Sequence, residues 1–485
     1  MIWDCVDGIG LATLLATMGC LMTRNGRLAA RLNASAALAD FLLVLPLLWN
    51  VPAKGATALD GVFLLDPLGV WVLFCLACVY LTASLFSIGY MRWMDEERAR
   101  LPRFYALFAG FALTMFLTPL QNNPGLYWIA IDLTTIVSAF LVGFQRAPES
   151  IEAAWKYIII VSAGLALALL GTVLFYWAGT FQLGPVYAMT WASFATIAPR
   201  SDPDLLLLAF LLVLVGFGTK VGLAPMHTWL PDAHSEGPAP VSAMLSGALL
   251  NCAMLGIVRT LAILRRTPIY GIAQTALVVL GAFSLLVAGL FITRQRGAKR
   301  LAAYSSVEHM GIMAMGFGFG GVLGVVGALY QMLNHSLTKS AVFFGAGNMM
   351  HAYRSQDMSA MLRVGRFFPI TGGLWLAGAV AITGAPPFGL FLGELTILRS
   401  GMAGPNLWAV WLMAILLIVI FIGFLRYFRD MYFGAPPANP PTLTLPALNV
   451  LPMAILLAAT LILGLWWPPA LWQHLTIIAH RLSGP

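Results

Sequence analysis

The sequence predicts an all-α polytopic membrane fold, and three observations carry that expectation. Of 485 residues, 60% are hydrophobic and 9% charged, against roughly 25% charged in an ordinary soluble domain. Apolar stretches of about 20 residues, the length that crosses a bilayer as a helix, recur from end to end. Two of the few ionisable residues inside those stretches, Lys220 and Glu394, sit beside prolines and glycines that interrupt them.

The stretches fall near 5–22, 30–50, 64–93, 103–120, 124–144, 152–178, 204–224, 239–264, 271–293, 301–319, 321–350, 367–399, 406–432 and 445–467, giving about fourteen transmembrane helices. The first carries Asp4 and Asp7 and has no basic leader, so it reads as a retained helix, not a cleaved signal. The third holds Cys75 and Cys78 in the apolar run WVLFCLACVYLTASLF; with no second Cys or His pair nearby they read as small residues packed in a bilayer helix. The fifth carries Asp132 about midway. The seventh ends at Lys220, and the run after it is broken by Pro225, Pro231, Pro238 and Pro240 before the eighth begins. Glu308 and His309 fall in the tenth, and His335 and Lys339 in the eleventh. The twelfth is interrupted by Gly384, Pro386 and Pro387 and then carries Glu394. Before the last helix, PPANPP over Pro436 to Pro441 reads as a stiff spacer.

Basic residues orient the chain. With the N-terminus outside, one set of loops holds Arg24, Arg27, Arg31, Arg92, Arg98, Arg100, Arg103, Arg146, Lys156, Arg294, Arg296, Lys299, Arg300, Arg354, Arg363, Arg366, Arg426 and Arg429. Only about seven basic residues lie in the other set, a positive-inside bias that places both termini on the non-cytoplasmic side of a bacterial inner membrane. The same bias accounts for the net charge of +8, so lipid, and not nucleic acid, is the expected contact.

The interruptions carry the functional signal. A charged side chain at membrane depth costs about 2.5 to 3.5 kcal/mol even on mild scales, so Lys220, at the end of LLLLAFLLVLVGFGTK, is most economically part of an ion or proton pathway. Two broken segments in comparable places suggest a transporter built from repeated units. Asp132 must find a cation or take a proton, and Lys220 is its natural partner. A pair whose separation changes acts as a proton switch; a static ion pair is the plainer alternative. His335 and Lys339, four apart in QMLNHSLTKSAVFF, share a helix face, and two basic groups there suit a water-lined path better than packing. Glu394 would be the carboxylate at the far end of the same line. His227, Asp232, His234 and Glu236 cluster within ten residues, but their spacing matches no common zinc pattern; a polar cytoplasmic turn that admits protons fits better. Glu308 and His309 in AYSSVEHMG read as another polar patch at a helix mouth. The sequence contains no GxGxxG, P-loop or four-Cys cluster, so no metal or other cofactor is expected in this chain and any redox chemistry belongs to a partner.

At these residues the chain resembles the antiporter-like, proton-translocating membrane subunits shared by respiratory complex I (its M-type chain), Mrp-type sodium/proton antiporters and membrane-bound nickel–iron hydrogenases. The matching words are TKVGLAPMHTWLPDAHSEGPAPVSAMLSG, KRLAAYSSVEHMG, NHSLTKSAVFF and GAPPFGLFLGE. LLNCAM, NHSLTKS with GAGN after it, and APPFGLFLGE make it most like the hydrogenase-4 component F type, also found in formate hydrogenlyase relatives. The resemblance implies N-terminal helices over 1–100, two inverted five-helix repeats over 101–264 and 265–433, and a C-terminal helix within 434–485. It also implies a hydrated axis of charges parallel to the membrane, with Lys220 as the lysine of the first broken helix, His335 the central histidine and Glu394 the acid of the second broken helix.

Two positions depart from the family pattern. The usual glutamate is Asp132, one methylene shorter, and the lysine usual in the complex I relatives on the eighth helix is Asn251, which carries no charge; Lys339 is the candidate replacement cation. The resemblance implies a proton-translocating subunit of an energy-converting hydrogenase-4-type or related NADH–quinone oxidoreductase-like complex, partnered by other membrane-arm subunits and a peripheral hydrogenase or oxidoreductase module. An Mrp-like cation/proton antiporter, the membrane half of an inorganic-carbon uptake system and a non-transporting anchor are the alternatives.

Overall fold

Eleven helices among the described residues are long and apolar enough to cross a membrane. Two more, Ala298–Phe319 and Gly321–Tyr353, have the length, but their polar side chains keep them below that mark. The interrupted pair Pro369–Ile382 and Gly389–Met402 is a further apolar element in two pieces. The computed structural model describes residues 2–94, 98–436, 441 and 443–483, so residues 437–440 of the expected PPANPP spacer lie outside the described residues.

Burial sorts the helices into a centre and a rim. Every residue from 237 to 261, from 301 to 318 and from 324 to 349 is buried. Helices closed on all sides form the core of a bundle, and here the two most polar ones are among them. The rim turns large side chains outward, for example Leu15, Phe140, Trp155, Ile159 and Trp411, as a lipid-facing surface requires.

Without a hydrophobic drive between helices in lipid, close packing of small residues holds them together. Pro148–Leu183 and Pro203–Val221 meet in this way. A Cβ on Gly216 would collide with the Ala168 nitrogen and come within 2.7 Å of the Gly164 oxygen. Tyr270–Ile292 and Ala298–Phe319 meet through Gly281 and Gly311, each of which would drive a Cβ to within 2.7 Å of the other's carbonyl oxygen. A buried ion pair clamps one end of the bundle: Arg259 donates to Asp66 at 2.9 Å and to the Pro119 and Gln121 carbonyls, while Asp66 caps Pro67–Tyr90 through the Gly69 amide. Nearby, Ala56–Ala58 and Phe63–Leu65 form an antiparallel hairpin.

The two breaks are built alike in outline. Pro203–Val221 stops at Gly222, whose φ of +81° lets the chain turn away, and a short helix, Trp229–Glu236, follows. Pro369–Ile382 stops before Gly384, at φ +65°, and Gly389–Met402 resumes the crossing. After Ala447–Leu465 the chain forms a further helix, Pro469–Ser483, where a single C-terminal helix was expected. Its mixed polar composition hid it from a search for apolar runs. It is tied down by His474 on the Pro67 carbonyl and by Arg481, whose side chain reaches the Lys54 carbonyl and whose own carbonyl accepts from Arg265.

Gly216 lies four residues before Lys220. Gly216→Val should therefore separate the two helices and displace the lysine, lowering the unfolding midpoint in detergent by several degrees, as read by a thiol-reactive fluorophore on the buried free cysteines Cys20, Cys75 and Cys252.

Candidate functional site

Lys220 is completely buried, so its hydration shell must be replaced by protein. Its ammonium donates to Thr135 Oγ1 at 2.7 Å and to Tyr157 Oη at 2.6 Å, and lies 4.8 Å from the centre of the Tyr157 ring. The Tyr157 hydroxyl also lies 2.8 Å from Ser138 Oγ. Asp132, on the same helix as Thr135, acts on Lys220 electrostatically but makes no hydrogen bond to it. The expected Asp–Lys contact is thus replaced by two hydroxyls. Asp132 is only half-buried and shares its outward helix face with exposed Ile129 and Ile136; its shorter side chain leaves it on the rim of the site.

The short helix after the first break carries the polar line inward. Trp229 donates to the Thr219 carbonyl at 2.7 Å, and its ring lies 4.6 Å from Tyr157 and 6.0 Å from His234, centre to centre. His234 is fully buried, with neither ring nitrogen hydrogen-bonded, and it acts electrostatically on His335 and feels Lys339. The sequence reading of a polar turn is corrected here: the segment folds back into the bundle and buries His234 against Trp229 and Phe343. His227, in a single turn at Met226–Thr228, is buried to 8% exposure with its Nδ1 unbonded. Asp232 is occupied by Arg300 at 2.8 Å and Lys156 at 3.3 Å. Lys299 donates to the Ser235 carbonyl at 2.7 Å and to the Gly237 carbonyl, tying off the end of that short helix where the helix dipole favours a cation.

Across the centre, Asn251 donates to Ser336 Oγ at 2.8 Å and to the Gly247 carbonyl at 3.1 Å, just past a widened turn at Leu245–Leu249. One helix turn beyond His335 on Gly321–Tyr353, and toward the same neighbouring helix, Lys339 donates to the Ala302 carbonyl at 2.6 Å and to Ser305 Oγ. Glu308 is fully buried, acts on Lys339 through space, and neither of its oxygens is bonded. Glu308 and His309 were expected at a helix mouth; both lie at the middle of Ala298–Phe319, because that helix begins at Ala298.

At the second break the groups are in contact. His335 lies 5.4 Å from His309, ring centre to ring centre, with both its nitrogens unbonded. His309 Nε2 is 2.8 Å from the Ile382 carbonyl, freed where the broken helix ends. Its Nδ1 is 3.1 Å from Gln331 Nε2, which also donates to Glu394 Oε1 at 3.2 Å; Glu394 Oε1 and His309 Nδ1 are 3.8 Å apart. Gly384 is required at this spot, since a Cβ there would collide with Glu394 Oε2. The structure thus brings together Lys220, His234, Lys339, Glu308, His335, His309 and Glu394 in one buried series, with Asn251 beside it and Asp132 and His227 at its margin. Tyr157, Thr135, Ser305, Lys299 and Gln331 went unnoticed in the sequence. Each is an ordinary polar residue inside or at the end of a helix, and only three-dimensional contact gives it a role.

A family model described as "NADH:quinone oxidoreductase/Mrp antiporter, TM" matches residues 121–422. The chain is also 36% identical over 460 residues to the hydrogenase-4 component F homolog of Methylacidiphilum infernorum (isolate V4), covering 93% of this chain and 95% of that protein. The chain belongs to this family of antiporter-like subunits. Among solved structures, a chain of the archaeal membrane-bound sulfane sulfur reductase superposes with a TM-score of 0.89 at 20% identity, covering 99% of this chain and 97% of that one. A chain of the Mrp complex from Dietzia sp. DQ12-45-1b superposes at 0.87 with 18% identity and the same coverage. At those identities the two likenesses concern the fold: an antiporter-like, multi-pass membrane subunit.

Two hydroxyls replace the water around the Lys220 charge, and a hydrogen bond to a charged group is worth about 1.5 to 3 kcal/mol. Tyr157→Phe and Thr135→Val should each destabilise the antiporter-like subunit by about 2 kcal/mol, measured as thermal unfolding in detergent, while the double variant should cost less than the sum because the ammonium is then free to reorient.

Proposed function

We propose that this chain is the proton-translocating membrane subunit of an energy-converting, hydrogenase-4-type oxidoreductase complex, and that protons move along the buried series between Lys220 and Glu394. The observation that carries the reading is the series itself. Seven ionisable side chains lie at or below 4% exposure in the middle of an apolar bundle, and intramembrane ionisable groups at such density serve ion or proton transfer. Several of them keep free nitrogens or oxygens facing inward, the points to which a proton or a water attaches. Lys339 takes the role of the central cation that Asn251 cannot fill. Each broken helix brings backbone carbonyls to the line, tolerable at this depth only inside protein or against water.

The near full-length likeness to a hydrogenase-4 component F homolog favours a hydrogenase-type assembly over an Mrp-like antiporter, an inorganic-carbon uptake subunit or an inert anchor. Within it, the breaks fall in the fourth crossing of each proposed inverted repeat, 101–264 and 265–433, and the bias of basic residues to one set of loops supports both termini on the non-cytoplasmic side of the inner membrane. Other membrane-arm subunits are the partners, with a peripheral hydrogenase module supplying the redox step. The half-buried Asp132 supports this: a carboxylate cannot face lipid at mid-helix among Ile129, Leu133 and Ile136, so a neighbouring subunit covers that face.

Purified from its native membrane under mild detergent, the tagged chain should bring nickel–iron hydrogenase subunits with it, and the reconstituted assembly should take up protons during turnover. Lys220→Ala and Lys339→Ala should each abolish uptake, while Asn251→Ala should retain most of it. Intact uptake in Lys339→Ala together with its loss in Asn251→Ala would reverse the assignment of the central cation, and intact uptake in Lys220→Ala would reduce the chain to an anchor.

A further inference from the structure

Between His309 and Glu394 stands a residue to which the proton pathway assigns nothing. Gln331 lies on the same helix as His335 and Lys339, four and eight residues before them, and is fully buried. Its amide nitrogen is 3.1 Å from His309 Nδ1 and 3.2 Å from Glu394 Oε1. An amide nitrogen carries two hydrogens and no lone pair to accept with, so both neighbours meet it as acceptors. In this arrangement neither facing atom holds a proton, and His309 keeps its hydrogen on Nε2, toward the Ile382 carbonyl. The other end of the amide, Gln331 Oε1, is buried without a hydrogen-bond partner. Gly393 makes room for it, since a Cβ there would collide with that oxygen.

The distances exclude easy direct transfer. Glu394 Oε1 and His309 Nδ1 are 3.8 Å apart, beyond hydrogen-bond reach, and the amide hydrogens occupy both lone pairs that would have to share the proton. We propose that Gln331 is a positioning residue that gates proton transfer at the second break, rotating its amide to let a proton cross between Glu394 and His309. The gate deepens the proton-pathway reading and rests on it. In the closed pose the amide nitrogen faces both groups. When Glu394 carries a proton, its O–H has no acceptor in the nitrogen, which favours rotation of the amide toward its oxygen. With the amide hydrogens withdrawn from both lone pairs, the two side chains close the 3.8 Å gap; the Oε1–H bond then breaks as an Nδ1–H bond forms, leaving Glu394 ionised and His309 as the imidazolium, and Gln331 Oε1 accepts from the new Nδ1–H as the pair parts. The amide itself neither gains nor loses a proton. The unpartnered oxygen gives the rotation a driving force, because the open pose supplies the bond it lacks.

The test uses the assembled complex in proteoliposomes with an internal pH dye and a potassium diffusion potential imposed by valinomycin, without redox substrate. Gln331→Met keeps length and volume and removes the amide. Passive proton entry should rise by about tenfold, the factor expected when a gate loses one hydrogen bond's worth of closed-state bias, and fewer protons should be pumped per electron during turnover. In infrared difference spectra, the protonated-carboxyl band that disappears in Glu394→Gln should shift in Gln331→Met. Should Gln331→Met fail to assemble, Gln331→Leu serves for both readouts. Passive entry and pumping ratio equal to the unmodified complex, or pumping lost with no rise in passive entry, would overturn the gate. Unchanged pumping in Glu394→Gln would instead overturn the pathway on which it rests, a result distinguishable from the first because the gate fails with Glu394 still required.

Discussion

Everything in this molecule depends on one constraint: a charge carried into the bilayer must have its water replaced by protein. At Lys220 the replacement is made from two hydroxyls and an aromatic face. At Lys339 it is made from a carbonyl and a hydroxyl on the neighbouring helix. Neither ammonium is hydrogen-bonded to a carboxylate. Had each been locked to an acid, breaking the pair would expose an uncompensated buried charge at a cost of several kcal/mol. Neutral oxygens hold the cation with shallower bonds, so its charge can respond to Asp132 or Glu308 across a gap.

Glycine and the helix breaks make that solvation possible. The close approach at Gly164, Gly171 and Gly216 brings Tyr157 within reach of a lysine on the crossing that follows, and Thr135 reaches the same ammonium from Pro124–Val142. Gly384 lets the backbone of the second break lie against the Glu394 carboxylate, and the end of Pro369–Ile382 offers the Ile382 carbonyl to His309. A continuous helix would have kept that carbonyl for its own ladder. The breaks are therefore sources of polar atoms as much as turns in the chain, and the two most polar helices can be the most enclosed because their neighbours supply partners for them.

This division explains what could be read from the sequence. Apolar length gave the crossings, and a lysine or glutamate beside prolines gave Lys220 and Glu394, because both signals are local and costly. His335 and Lys339 were legible as a pair four residues apart. The depth of His234 was not, because prolines announce a turn without saying whether it leads outward or folds back under the next helix. Glu308 and His309 were misplaced because a Glu–His pair reads as polar and so as a helix end, although both lie at the middle of Ala298–Phe319. Gln331 and Tyr157 are invisible to any such reading, since each takes its role from a residue 63 positions further along the chain, Glu394 and Lys220 respectively.

Asn251, at the position where a resemblance to complex I relatives leads one to expect a lysine, sits close to the helix that carries Lys339. Asn251 and Lys339 are on different helices, yet Ser336, one turn before Lys339, accepts from Asn251. The centre of the bundle is thus a shared polar volume bounded by Ala239–Met244 and its continuation, Ala298–Phe319 and Gly321–Tyr353, and not a site owned by one helix. Lys339 lies within electrostatic reach of His234 on one side and of Glu308 on the other. A charge on the eleventh crossing and an asparagine on the eighth thus share this volume, which requires the asparagine to close its own hydrogen bonds. Asn251 does so with its nitrogen through Ser336 and the Gly247 carbonyl, and its oxygen stays unbonded on the side of the line.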